Sequence, residues 1–283
     1  MSGGNGGGAQ RVCALILRSL VWAAGIGAVG LSLFVMAYIL ARGIPQLHTG
    51  MFTLEHATDS SSLIPALANT LFVLCATLAM VLPVGVGAAV YLCEYARSTS
   101  LIVSAVRIAL QVLSLIPSIV YGLFGYLFFS VYLQWGYSLL AGCSTLAVMV
   151  LPVVVRAVEG ALRSVPHGLR EAGFALGASK AHIIFRVVLP AAWPGIASAV
   201  LLGGARIIAE SAALIYTAGT VAQVARPGES GRTLAVHLWS LWSEGGADER
   251  AWAVAVVLMV VALAGSIAST ALEKLMSRRN LAH

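Results

Sequence analysis

Charge is what this sequence has little of. Only 10% of its 283 residues are Asp, Glu, Lys or Arg, against 59% hydrophobic, and the mean hydropathy is +0.92. A soluble domain carries about 25% charged residues. A soluble fold of this length could not cover its surface with so few. The composition therefore excludes an ordinary cytosolic enzyme. It also excludes a disordered chain, whose sequence would be polar and charge-rich. It describes a polytopic membrane protein.

The signatures of site chemistry are also missing. The four cysteines, Cys13, Cys75, Cys93 and Cys143, have no CxxC spacing. Three of them fall in apolar stretches and read as small buried hydrophobes, neither disulfides nor metal ligands. None of the six histidines stands at metal-ligand spacing from another, and there is no HExxH or GxSxG. The Gly-rich residues 1–10 are not followed by GK[ST], so they form no phosphate loop. No basic run with interleaved aromatics suggests nucleic acid.

What the sequence does have is apolar length. A spanning helix needs about 20 mostly apolar residues. Six segments qualify: Ser19–Ala41, Leu67–Leu92, Leu101–Leu133 interrupted by Pro117, Ser138–Val155, Trp193–Tyr216 and Trp252–Leu272. The expected organisation is a flexible cytoplasmic tail over 1–18, a six-helix transmembrane domain over 19–273 and a cytoplasmic C-terminal tail over 274–283. The first span is too long for a signal-peptide core and reads as an uncleaved anchor.

The distribution of the 17 Lys and Arg residues supplies the orientation. With the N-terminus inside, the inner segments hold Arg11, Arg18, Arg97, Arg107, Arg156, Arg163, Arg170, Lys180, Arg186, Lys274, Arg278 and Arg279. The outer loops hold only Arg42, Arg226, Arg232 and Arg250, and Arg206 falls within the fifth span. Basic residues concentrate on the cytoplasmic side of membrane proteins. Both termini are therefore expected in the cytoplasm.

Within the third stretch, Ser104, Arg107, Gln111 and Ser114 recur at helical spacing, as one polar stripe. Pro117 then removes a backbone donor and permits a break. Two readings follow: a long bent helix lining a cavity, or a surface helix preceding a shorter span. On the outer side, His237 lies near Trp239 and Trp242. That cluster reads first as an interfacial anchor, and otherwise as a contact for a protein on the outer side.

Residues 156–192 form a long cytoplasmic loop. Ser164 and Pro166 suit a helix start, and a short helix is predicted over His167–Leu176. Gly177 supplies the turn. Ser179 caps a second helix through Val188, which Leu189-Pro190 ends. Small residues (Ala172, Gly173, Ala175, Gly177, Ala178) surround the turn and let another protein's surface approach. The plainer alternative is an amphipathic loop lying on lipid.

These residues carry a family resemblance. Glu171-Ala172-Gly173, three residues, Gly177, nine residues, Val187, one residue, Leu189-Pro190 resembles the EAA loop of ABC-importer permeases. That loop reads Glu-Ala-Ala, three residues, Gly, nine residues, Ile, one residue, Leu-Pro. The departures are Gly173 for the second Ala and Val187 for Ile. The segments 116–122 (IPSIVYG), 91–96 (YLCEYA) and 205–213 (ARIIAESAA), followed by Ile215-Tyr216-Thr217-Ala218-Gly219, are similar to those of phosphate permeases of the A-type (PstA-like). Ala209, Ser211 and Ala213 depart from the Gly, Thr and Pro of that pattern.

The resemblance covers roughly residues 65–275. It implies an all-α integral membrane fold of six transmembrane helices with the type I ABC-importer permease (MetI-like) architecture. It also implies inorganic phosphate import by alternating access, and an EAA coupling loop over 157–192 that docks into an ATPase. Glu171 and Gly177 are the positions carried over, with Ala172, Gly173, Leu189 and Pro190 in the same ATPase-coupling segment. The implied partners are a second, PstC-like permease, a dimeric PstB-like ATPase, a periplasmic or extracellular PstS-like phosphate-binding protein and membrane lipid. No cofactor is implied on this chain, since ATP and magnesium belong to the ATPase. The alternatives are a C-type permease, a permease for another oxyanion, a homodimeric pairing, an intramembrane enzyme, or a passive channel.

Arg206 and Glu210 are four residues apart, so they are expected to share one helix face. Ionisable groups in a bilayer cost about 2.5–3.5 kcal/mol each and usually face a cavity or a partner. Two compatible readings are an internal ion pair that fixes packing, and a transport path. In the second, Arg206 offers phosphate a bidentate guanidinium and Glu210 holds Arg206 in place. Ser211 lies beside them on the same expected path.

Overall fold

A chain in lipid must satisfy its backbone polar groups internally, and this one does so with helices. The computed structural model describes residues 6–52, 62–97, 100–245 and 249–280. Among these the elements are helical throughout, with no strands. Among the described residues five helices are long and apolar enough to cross a membrane, and a bent pair after the second makes six if it counts as one span.

Helix α1 runs Gly6–Gly43 and α2 runs Ile64–Val90, ending in a π turn over Tyr91–Tyr95. Helices α3 (Leu101–Leu113) and α4 (Ser118–Gly125) form the bent pair, and α4 continues as a π turn over Tyr126–Tyr132. Helix α5 runs Leu139–Ser164. The short helices α6 (His167–Ala175) and α7 (Lys180–Ile183) lead through a π turn, Ile184–Val188, into α8, Leu189–Ala209. Helices α9 (Ala212–Thr217), α10 (Leu234–Gly245) and α11 (Glu249–Asn280) complete the chain.

Both expected tail regions are helical where described. Residues 6–18 already belong to α1, and α11 continues through 280. The composition explains it: Ala9–Arg18 and Ala271–Arg279 hold mostly good helix formers, which extend an existing helix at little cost. Residues 1–5 and 281–283 lie outside the described residues.

Helix α5 is the centre. Cys143, Leu146, Met149, Val150, Val154, Val158 and Leu162 are all buried on it, against α2, α8 and α9. Small residues on its neighbours allow close packing, the usual device in membrane bundles. A Cβ added at Gly203 would lie 3.1 Å from the Val154 side chain, and one at Gly85 the same distance from it. Of the four cysteines only Cys143 is buried, while Cys13 and Cys75 face outward.

Helix α1 stands apart. No residue of its most apolar window is buried within the chain. It leans on α11 only near its C-terminal end, where Tyr38 meets Trp252 edge-on at 5.5 Å.

The bent pair resolves the two readings of the third stretch. Leu101–Leu115 and Ser118–Tyr132 meet at 99°. A corner of that size fits a surface helix followed by a shorter span better than one gently bent helix. Pro117, in extended conformation, makes the corner, and the Tyr121 hydroxyl donates to the Leu113 carbonyl across it at 2.8 Å. Leu101, Ile102, Ile108, Val112 and Leu115 are exposed on α3, away from the polar stripe. A helix lying at a membrane surface has that division.

Candidate functional site

The loop after α5 folds from local rules. Pro166 is the N-cap of α6, Gly177 takes φ +77 in the turn, and the Ser179 hydroxyl caps α7 by accepting from the His182 N–H at 3.4 Å. An added Cβ at Gly177 would meet no atom within 4 Å, so the backbone conformation, not space, demands glycine there. Gly173 is different. Its added Cβ would lie 2.9 Å from Cγ1 of Ile183, so this glycine lets α6 and α7 pack together.

Two local expectations are corrected. Ser164 does not start the loop helix: it closes α5, donating its hydroxyl to the Ala161 carbonyl at 2.8 Å. The reason is that α5 runs well past Val155, with Val158, Glu159 and Leu162 still buried. Nor does Leu189-Pro190 end the second helix. The π turn over Ile184–Val188 widens the backbone before Pro190, which then sits in the first turn of α8, where its missing N–H costs nothing. Lys180–Ala209 is therefore one continuous apolar helix.

The loop presents apolar side chains outward. Leu169, Phe174, Leu176 and Phe185 are 44%, 52%, 88% and 66% exposed. Glu171, Ala172, Gly177 and Pro190 are exposed beside them, and Gly173 and Leu189 are half-buried. Among the described residues no basic side chain pairs with Glu171.

Behind this surface lies an ionic network that the sequence reading did not identify. Arg170 of α6 donates to Oε1 of Glu94 from Nε at 3.1 Å and from Nη2 at 2.8 Å. It also donates to the carbonyls of Val165 at 2.7 Å and Leu162 at 2.9 Å, at the C-terminal end of α5. Oε1 of Glu159 accepts from Arg163 at 2.7 Å and from Arg107 at 3.1 Å, and Arg107 also reaches the Leu92 carbonyl at 3.1 Å. A cavity of about 510 Å³ lies among Glu94, Arg107, Arg163, His167 and Arg170. The available signal was scarcity. The chain has only 11 acidic residues, and Glu94 and Glu159 stand at the ends of apolar spans.

The second group of residues lies where α8 ends. Ala209 is the last helical residue, and Glu210 is extended (φ −81, ψ 124). Its carboxylate turns forward and accepts from the Ala213 N–H at 3.3 Å, capping α9. This corrects the expectation of one shared helix face. Arg206 and Glu210 form no ion pair, because a carboxylate is better placed against the free N–H groups of a helix start. Arg206 is exposed in the last turn of α8, near Tyr121, and among the described residues no carboxylate pairs with it. Ser211 is half-buried at the start of α9.

His237 on α10 is 1% exposed, whereas Trp239 and Trp242 are 45% and 56% exposed, so the tryptophans and not the imidazole are the open part of that cluster. Burial, reinforced by the charges of Arg232 and Arg250, pushes the His237 pKa down to about 3.

A bundle of apolar spans with a helical loop projecting from one side, and with Arg206 beside a broken helix, is an arrangement suited to a membrane permease subunit. Residues 81–278 match the family described as binding-protein-dependent transport system inner membrane component, and the chain belongs to it. It is a permease subunit of an ABC transporter.

The chain is 36% identical over 247 residues to the probable ABC transporter permease protein YqgI of Bacillus subtilis, covering 79% of this chain and 80% of that one. It is 36% identical over 208 residues to the phosphate transport system permease protein PstA 2 of Mycobacterium bovis, covering 72% and 68%. Among solved structures, it resembles a chain of the MetNI methionine ABC transporter in an inward-facing conformation (TM-score 0.59, 23% identity, 81% and 99% covered). It also resembles one from a bacterial importer of the acidic polysaccharide alginate (TM-score 0.65, 17% identity, 94% and 95% covered). At those identities the likeness concerns the fold, which is that of type I importer permeases.

Proposed function

We propose that this chain is the A-type permease through which a bacterial ABC importer moves inorganic phosphate across the cytoplasmic membrane. The observation that carries the substrate is the similarity to phosphate permeases of the A-type, 36% identity over 208 residues. The exposed Arg206 supports it, because a planar, permanently charged guanidinium suits a phosphate oxyanion.

The permease pairs with a second, PstC-like subunit, and the transport path runs between them. Arg206 faces that path. Glu210 and Ser211 shape the break beside it. The exposed length of α1 suits a helix covered by that partner and by lipid.

The helix-turn-helix over 166–190 is the docking element for a separate, PstB-like ATPase, and ATP is hydrolysed there. Glu171, Ala172, Gly173 and Gly177 lie on the docking element, and Leu189-Pro190 joins it to the span. Because Lys180–Ala209 is one helix, a push on the loop acts directly on the fifth span. The distribution of basic residues supports a cytoplasmic position for this loop and both termini. A phosphate-loaded, PstS-like binding protein docks on the opposite side.

The test is ATP hydrolysis and uptake by the complex reconstituted in vesicles, with binding protein and with phosphate, sulfate or molybdate. Stimulation and uptake with phosphate alone support the reading. Uptake of sulfate or molybdate in place of phosphate overturns the substrate. Failure of a tagged chain to retain any ATPase in mild detergent overturns the docking role.

A further inference from the structure

Both short helices of the loop grip the same five residues. Arg170 of α6 holds Glu94 through two hydrogen bonds, with side chains only 12% and 10% exposed. On α7, the Lys180 ammonium sits 5.0 Å from the centroid of the Tyr95 ring. Glu94 and Tyr95 belong to the π turn Tyr91–Tyr95 that ends α2. The loop is covalently joined to α5 and α8 only. These contacts join it to a third span.

The attachment is rigid. The Arg170 guanidinium makes four hydrogen bonds, two to Glu94 and two to the carbonyls that end α5. Arg107 holds the same turn from α3 through the Leu92 carbonyl and is itself held by Glu159 of α5. A charge-assisted, doubly bonded contact keeps its geometry better than apolar packing, which can slide. π turns inside or at the end of α-helices are frequently found at functional sites.

We propose that Glu94 and Arg170, with Tyr95 and Lys180 beside them, form the joint that passes movement of the docking loop to the second span. The inference rests on the docking role proposed above. Glu94 and Arg170 are positioning residues here: they touch neither ATP nor the transported anion. Without the joint, the ATPase stays docked and hydrolyses ATP, but α2 no longer follows the loop.

The test uses the whole complex in vesicles, with binding protein loaded with inorganic phosphate. Three quantities are read: ATPase retained on the tagged permease, ATP hydrolysed, and phosphate taken up per ATP. Glu94→Gln keeps the shape and removes the charge. It is expected to retain the ATPase and basal hydrolysis while uptake per ATP falls about fivefold or more, the range of a typical coupling energy. Glu94→Asp is expected to restore most of it. Tyr95→Leu, at a half-exposed ring that folding does not need, lowers the ratio by a smaller factor.

Unchanged uptake per ATP in both Glu94→Gln and Tyr95→Leu overturns the joint. So does loss of the ATPase from either variant, because the pair would then only build the docking surface. If the unmodified complex itself shows neither docking nor uptake, the proposed function has failed instead, and the joint fails with it.

Discussion

Gly122 of α4 lies directly against the backbone of Ala213 in α9: an added Cβ would stand 2.9 Å from the Ala213 Cα. The partner atom is main chain, so it cannot swing aside. This contact brings the 116–122 segment against the one that carries Arg206, Glu210 and Ser211. Overpacking of this kind costs about 1–3 kcal/mol. Gly122→Val should therefore lower the thermal aggregation midpoint of the purified permease. A variant as stable as the parent would show that α4 and α9 can separate without cost.

Arg206 and Glu210 have separate tasks, and their variants should separate too. Arg206→Gln removes a charge that no carboxylate among the described residues neutralises. Uptake should be abolished while the complex still assembles. Normal uptake by a correctly assembled Arg206→Gln complex would remove Arg206 from the path. Glu210→Gln retains an acceptor for the Ala213 N–H but loses the charge that favours a helix start, worth about 0.3–1 kcal/mol. Its effect should be a modest loss of stability, measured by the same aggregation midpoint.

Gly177 is needed for its backbone, which sets a particular order of tolerance. At φ +77, Asn is accepted far better than a β-branched residue. Gly177→Asn should still co-purify with the ATPase, whereas Gly177→Val should cost about 1–2 kcal/mol of loop geometry and lose it. Equal retention of the ATPase by both variants would mean that the turn does not set the docking surface.

How much was legible in the sequence depended on how local each cause was. The loop was readable because Pro166, Gly177 and Ser179 act within three or four residues. The number of spans followed from apolar length. Three features were not readable. The helix passes Leu189-Pro190 because a π turn precedes it, and side-chain order carries no simple signal for a π turn. The break at Glu210 accompanies the packing of Ala213 on Gly122, a contact between distant segments. The Glu94–Arg170 pair spans 76 positions. Periodicity and spacing are blind to such a pairing.

The buried imidazole of His237 makes stability depend on pH. Its two ring nitrogens have no hydrogen-bond partner among the described residues, and its pKa is lowered from 6.5 to about 3. The folded protein thus keeps His237 neutral where the unfolded chain already binds a proton. Stability from this group is complete above pH 6.5 and is lost as the pH falls toward 3. The slope is about 1.4 kcal/mol per pH unit, so about 2 kcal/mol disappears between pH 7 and pH 5. His237→Leu removes both the proton acceptor and the unsatisfied nitrogens, so it should be at least as stable at pH 7. The drop in aggregation midpoint between pH 7 and pH 5 should be smaller in His237→Leu than in the parent. Parallel drops would assign the acid sensitivity to other groups.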